Sequence, residues 1–310
     1  MAPPLGGPGG ADGGEAILLG VDVGGTKLAL GAVSAAGAIL ARKTVLLRTS
    51  GGGALSPEGA ARVAAAFAND RQLQPARAGI SVAAALDGAG AATFAPNLPA
   101  WQGEPVALRF EAALGVPATA LYDGHAALLG EAWLGEARGR HNVVLLTVGT
   151  GVGGALMVDG RLAHGRDGLA GVFAYLQVPW RGRAARLEDA VSGPALARDL
   201  SLALGRQASA AEVFALARRG DAAAADLLAE ALEALGGALA GIAAALNPEC
   251  ILLAGSVGLA YAANARALEA AVARLGQPVA GRGVAIRAAG LGGDAGWVGA
   301  ARAALESARA

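Results

Sequence analysis

The stretch Leu146–Gly160, LTVGTGVGGALMVDG, decides which fold this chain adopts. Gly149, Gly151 and Gly154 satisfy the spacing G-x-G-x-x-G, in which a strand hands a dinucleotide's pyrophosphate to the start of a helix. That geometry requires a helix after the third glycine, because the free amides of its first turn bind the anion. Here Gly154 leads instead into Ala-Leu-Met-Val and then Asp159-Gly160, a β-prone run closed by a hairpin-turn dipeptide. The acid expected about 20 residues further on would be Asp167, which sits in a glycine-rich loop. The stretch therefore reads as strand, glycine turn, strand. Such a turn presents successive backbone N–H groups that hold a phosphate, although a plain hairpin is written with the same residues.

A second stretch repeats the construction. Gly20–Lys27, GVDVGGTK, is again an apolar strand, a glycine turn, a threonine and more strand. Asp22 lies inside that strand, where a carboxylate is disfavoured unless it has a partner. A hydrated magnesium ion carried by ATP is one such partner. Two turns of this kind, one in each half of the chain, suit a grip on a triphosphate from opposite sides. The spacing G-x-x-x-x-G-K-[ST] is absent, which excludes a P-loop.

Around these turns the pattern is α/β. Residues 17–46 predict a meander of two or three antiparallel strands. Ser56-Pro57 predicts a helix start, with the helix running to about Leu73. Strand and helix then alternate through AGISVAAALD, VALRFEAALG, PATALY and GHAALLGEAWLGEA, helices fill much of 186–248, CILLAG is a late strand, and a helix spans about 259–275. Apolar residues make up 54% of the 310 and charged ones 16%, enough to bury one large core or two ordinary ones. Lys and Arg total 25, as do Asp and Glu, so no global field recruits nucleic acid or an anionic membrane. No apolar run reaches the ~18–20 residues of a membrane span. The single cysteine, Cys250, excludes an internal disulfide and fits a reducing cytoplasm. Residues 1–16, rich in Gly and Pro, read as a disordered tail without the marks of a secretory signal.

LGVDVGGTK and LTVGTGVGG resemble the two phosphate motifs of the ROK family of repressors and sugar kinases. The resemblance continues, in order, through APNLPAWQGEPV, LYDGHAALLGEAWLG, LEDAVSGPAL, ILLAGSVG and GDAGWVGAA. It implies an actin-like ATPase (RNase H-like) fold, with two lobes of mixed sheets flanked by helices that close over ATP and a sugar. The lobes expected are 17–120 with 291–310, and 121–290. The implied activity is ATP-dependent phosphorylation of a primary, 6-position-type hydroxyl of a hexose or a hexose-like substrate. The implied catalytic residue is Asp123, at a strand end where a helix begins; the helix dipole there favours the ionised carboxylate, which takes a proton from the sugar hydroxyl. An Asp at that place is also an ordinary helix cap. Phosphate and nucleotide binding is implied for Asp22, Gly24, Gly25, Thr26, Lys27, Gly149, Thr150, Gly151, Gly255 and Ser256, with Mg2+ reaching the site on ATP near Asp22. Lys27 reads equally as a solvated surface residue. Substrate binding is implied for Asn97, Asp123, Gly153, Tyr175 and Glu188. A homo-oligomer, a dimer or a tetramer, is implied as well, with no nucleic-acid or membrane partner.

The departures from the family pattern carry information of their own. Val172 stands where a sugar-binding Glu is usual, and Tyr175 where a His serves both sugar and zinc. Pro179, Arg181 and Arg186 replace three zinc-binding cysteines, so structural zinc is not expected. Tyr122 and His125 replace the two Asn that flank the catalytic position, and SVAAALD lacks a Pro-Gly. His125 reads as a structural helix-face residue, with substrate contact as the other reading. The ATP side is kept while hydrogen-bonding groups at the anomeric side of a hexose are lost. This points to an amino sugar or a carbocyclic sugar analogue, since a buried hydroxyl without its partner costs roughly 1–3 kcal/mol. A sugar-responsive regulator with decayed catalysis is the alternative. The family's repressors carry an N-terminal DNA-binding domain, for which sixteen residues before the first strand are too few. A polyphosphate-using kinase would need a basic track, and RGRAAR at 181–186 is the only short basic cluster nearby.

Overall fold

The computed structural model describes residues 16–25, 27–46 and 55–308. The tail expected at 1–16 lies outside them except for its last residue, and Thr26 lies outside as well.

In chain order the first strands are β1 (Ile17–Val23), β2 (Lys27–Ser34) and β3 (Ile39–Leu46), followed by helix α1 (Pro57–Asp70). Strand β4 (Pro75–Val82), the short β5 (Ala85–Leu86) and β6 (Ala92–Phe94), α2 (Val106–Leu114), β7 (Ala118–Tyr122) and α3 (Asp123–Leu134) complete the first part. Next come β8 (Val143–Val148), β9 (Val152–Val158), β10 (Arg161–Leu162), β11 (Gln177–Trp180) and β12 (Arg183–Arg186). Helices α4 (Leu187–Val191), α5 (Gly193–Leu204), α6 (Ala210–Arg218) and α7 (Ala222–Leu246) follow. The chain ends with β13 (Cys250–Ala254), α8 (Gly255–Ala262), α9 (Ala265–Leu275), β14 (Ala285–Ala288) and α10 (Ala295–Ser307).

The chain forms two units. The first holds the residues up to Gly139, Asp159–Ala170 and Gly290 onward; the second holds Arg140–Val158 and Gly171–Ala289. In the first, the sheet order is β3-β2-β1-β4-β7. The meander β1–β2–β3 is antiparallel, and β4 and β7 add in parallel. Alternation along β1 splits the core between the two faces of this sheet. Leu19, Val21 and Val23 pack with Phe67, Trp101 and Phe110. Leu18 faces the other way, with Val33, Trp297 and Val298. On that second face α10 lies very close to the strands: a Cβ on Gly79 would stand 1.7 Å from the carbonyl oxygen of Ala300.

In the second unit the strands run β9-β8-β13-β14, with β8–β9 antiparallel and β8–β13 and β13–β14 parallel. Val144, Leu146, Ile251 and Leu253 form its core with Leu235 and Leu239 of α7. By length and composition α7 is apolar enough to cross a membrane, contrary to the expectation that no run is. Alanine dominates it, and its leucines turn inward to the core of the unit.

Other expectations are revised in detail. Helix α1 stops at Asp70 rather than near Leu73, where Gln72 takes a left-handed φ of 52°. The single helix expected over 259–275 is two, α8, which begins at Gly255, and α9, parted at Ala263–Asn264, where the Asn264 amide donates back to the Tyr261 carbonyl at 2.8 Å. The lobe boundary expected after residue 120 falls after Gly139, since α3 packs along α10 and belongs with the first unit. Residues 159–170 belong with it too, where they were expected in the large lobe.

Candidate active site

In the first unit, β1 and β2 are joined by a tight turn in which the Gly24 amide donates to the carbonyl of Lys27 at 3.0 Å. Gly24 and Gly25 line that turn, and Asn97, exposed on the loop after β6, lies beside it: a Cβ on Gly25 would be 3.5 Å from the Asn97 Cβ. Asn97 is placed by its neighbour Leu98, which is fully buried, and by Trp101, whose indole N–H donates to the Leu55 carbonyl at 2.9 Å.

Asp22 projects from β1 on the face covered by α10. It accepts a hydrogen bond from Ser81 Oγ at 2.6 Å. Gly296 makes room for the carboxylate, because a Cβ there would stand 2.5 Å from its carboxyl carbon. Burial pushes the Asp22 carboxyl above its ordinary range, against the Ser81 hydrogen bond and the charge of Lys27. Lys27 itself is exposed.

Asp123 is the first residue of α3, directly after β7, and is not the cap; that position belongs to Tyr122, whose side chain makes no capping bond. The Asp123 carboxylate accepts the Gly124 amide at 2.8 Å. Burial, and then the charge of Asp22, push its carboxyl up to about 7. The expectation that the helix start keeps it firmly ionised is thus corrected: desolvation and a neighbouring like charge outweigh the amide. The result is a carboxyl poised to exchange a proton near neutral pH.

His125 is 2% exposed and packs edge-on between Tyr122 and His164, with ring centroids at 5.4 and 4.8 Å. Burial, with the charge of His164, pushes its imidazole down to about 4. Its Nε2 is buried without a hydrogen-bond partner. These three rings, with Asp87 and Arg166, line a cavity of about 570 Å³ in the first unit.

In the second unit, the glycine turn between β8 and β9 is closed by the Gly149 amide donating to the Gly151 carbonyl at 2.9 Å. Thr150 is exposed at its tip, and Gly153 pairs with Thr147 inside the hairpin. Next to β8 runs the parallel β13, so the turn and the residues after Ala254 share the carboxyl end of the sheet. Gly255 there has φ +77°, and a Cβ would stand 2.4 Å from the Val148 carbonyl oxygen. Only glycine lets α8 begin against the turn, which brings Ser256 to its first residues. Gly149, Thr150, Gly151, Gly255 and Ser256 therefore gather at one sheet end, the usual place for a ligand in α/β folds.

Of the residues assigned to substrate, Glu188 lies in α4 and accepts the Val152 amide at 2.9 Å. Tyr175 is 61% exposed, with the Arg186 guanidinium 5.6 Å from its ring centre. Val172 packs against the core of the unit. Where the resemblance places zinc ligands, the hairpin β11–β12 turns at Arg181, which pairs with Asp199 at 3.1 Å, and no group of three metal-ligating side chains occurs among the described residues. Ser81, Gly296 and Gly193 were missed as parts of these arrangements. Ser81 alone left a trace, as an isolated hydroxyl in the apolar second half of β4.

Each unit thus carries a strand–glycine turn–strand with a parallel strand beside it, and the chain has the actin-like ATPase fold of α/β proteins. Residues 18–307 match the ROK family, and the chain belongs to it. A bifunctional NanE/NanK enzyme of Brucella melitensis is 35% identical over 92% of this chain, which spans about half of that protein's length (53%). An N-acetylmannosamine kinase of Yersinia pestis is 32% identical, over 78% of this chain and 83% of its own. The crystal structure of a ROK family glucokinase from Streptomyces griseus in complex with glucose and AMPPNP superimposes with a TM-score of 0.74, at 28% identity over 94% of this chain and 100% of that one.

Proposed function

We propose that the chain is an ATP-dependent kinase that phosphorylates a primary hydroxyl of a hexose or hexose-like substrate. The observation that carries this reading is Asp123: a carboxyl at the end of β7, in the sheet whose β1 carries Asp22, raised to about 7 by burial and by the Asp22 charge. Asp123 accepts the hydroxyl proton as the substrate oxygen bonds to the terminal phosphorus of ATP. The bond from that phosphorus to the bridging oxygen breaks, and ADP leaves. The glycine turn of each unit, at Gly24–Gly25 in the first and at Gly149–Gly151 in the second, is of the kind that holds a phosphate group. Asp22 fits the magnesium that accompanies ATP, being a half-buried carboxylate that accepts a hydrogen bond from the Ser81 hydroxyl. Such an ion, when bound, neutralises phosphate charge.

The substrate differs from glucose at its anomeric side. Val172 cannot hydrogen-bond a hydroxyl through its side chain, and Tyr175 offers one hydroxyl on an exposed ring. An amino sugar or a carbocyclic analogue fits these replacements. The test is ADP release with glucose, N-acylated and free amino sugars and cyclitols, with Asp123→Asn as control. The asparagine variant is expected to lose on the order of 10²–10⁴-fold in kcat. Undiminished turnover by it would remove Asp123 as the base, and glucose outpacing every other acceptor would overturn the altered substrate.

A further inference from the structure

The carboxylate of Glu188 does something in this structure that binding a sugar does not require. Its Oε2 accepts the amide of Val152, the first residue after the glycine turn, at 2.9 Å. The same oxygen lies so close to the turn that a Cβ on Gly151 would stand 2.7 Å from it. A second contact comes from the same stretch of chain. The Gly193 amide, at the start of α5, donates to the carbonyl of Gly149 at 2.8 Å. A Cβ on Gly193 would be 3.0 Å from that carbonyl oxygen. Residues 188–193 thus grip both ends of the turn, and the turn's own bond from Gly149 to Gly151 closes the middle.

A glycine-rich turn has many backbone conformations of similar energy, and only those that present its amides together hold an anion. Something must select among them. A negative charge beside a phosphate site is otherwise a poor choice, since like charges repel. Its presence here is explained by the hydrogen bond it makes. We propose that Glu188 is a positioning residue for the phosphate turn, setting the conformation of Gly149–Val152 before any sugar is bound. This rests on the kinase reading above.

The inference separates two properties of one side chain, its reach as an acceptor and its charge. Gln keeps the acceptor and removes the charge. Asp keeps the charge but is a methylene too short, and Ala lacks both. The experiment is titration of each variant with the magnesium complex of a non-hydrolysable ATP analogue, without sugar, alongside hydrogen exchange at the Val152 amide. E188A and E188D are expected to bind the analogue about tenfold more weakly and to lose protection at Val152. E188Q is expected to stay within about threefold of the parent, or to bind more tightly, with protection kept. Should E188A not fold, E188D carries the test. Parent-like affinity in E188A or E188D would overturn the proposal, as would an E188Q as weak as E188A. A parent protein that binds no nucleotide at all would instead defeat the kinase reading itself.

Discussion

Asp123 is expected to leave its mark on two pH profiles. As the base it acts when deprotonated, so kcat/KM should rise with pH through about 7 and level off above it. Removing the charge of Asp22, by Asp22→Asn, should move that rise to lower pH in whatever activity remains. Rate measurements from pH 5 to 9 check both, and a rise near pH 4 in the parent would refute the poised carboxyl. The same displacement acts on stability. A carboxyl raised from 3.8 to about 7 in the folded state favours folding when protonated, and that contribution is lost as pH rises through 7. Asp123→Asn should therefore be the more stable protein at pH 8, by on the order of 2–4 kcal/mol, with the gain vanishing below about pH 4. His125 has the opposite sign. Its imidazole is lowered to about 4, so its contribution is present above 6.5 and is lost as pH falls toward 4. Thermal melts of Asp123→Asn and His125→Gln across pH 4–8 would show the two slopes separately. Asp22 was legible as a carboxylate out of place in a strand, and Asp123 through its motif. The elevation of Asp123 was not, because it arises from burial and from a residue a hundred positions away.

Helix α10 shows what the elements owe to small residues. Gly79 meets the Ala300 carbonyl at 1.7 Å from its absent Cβ, and Gly299 of α10 meets the Ala126 carbonyl of α3 at 1.6 Å. Neither neighbour is a side chain that can turn away. Gly79→Ala should cost at least about 1–3 kcal/mol, read as a lower urea midpoint, whereas Gly88→Ala, with open space around it, should cost little. Equal effects at the two positions would contradict the close approach. The hairpin β11–β12 makes a second case. Asp199, with its side chain 4% exposed, receives Arg181 at 3.1 Å and Arg198 at 2.7 Å, and the Arg181 guanidinium also covers Trp180 at 5.0 Å. Asp199→Ala would remove the buried acceptor that both guanidinium groups share, leaving Arg181 to Glu230 at 2.9 Å, and should lower the melting temperature by a few degrees. The strands, the meander and the turn at Asp159-Gly160 were readable from alternation and turn residues. The split between α8 and α9 was not, since it falls at Ala263–Asn264, where no glycine or proline marks it and the Asn264 amide turns back to the Tyr261 carbonyl.

For the molecule as a whole, one cysteine and three histidines in 310 residues leave little material for a structural metal, and the zinc positions of the family hold Tyr, Pro and Arg. A strong zinc chelator should therefore leave the melting temperature of the metal-free-buffer protein unchanged; a drop of several degrees would show that a zinc site had been overlooked. By itself the sequence determined the α/β class, the two strand–glycine–strand turns, the rejection of a dinucleotide loop, and the family. Each of these follows from residues close together in the chain, where periodicity and turn chemistry act over a few bonds. Tertiary structure alone decided that α3 and residues 159–170 join the first unit, that α10 rests on glycines, that Ser81 bonds Asp22, and that Glu188 bonds Val152. Those depend on distances between residues far apart in the chain, and hydrogen bonding, desolvation and steric fit are set by such distances, whatever the local pattern.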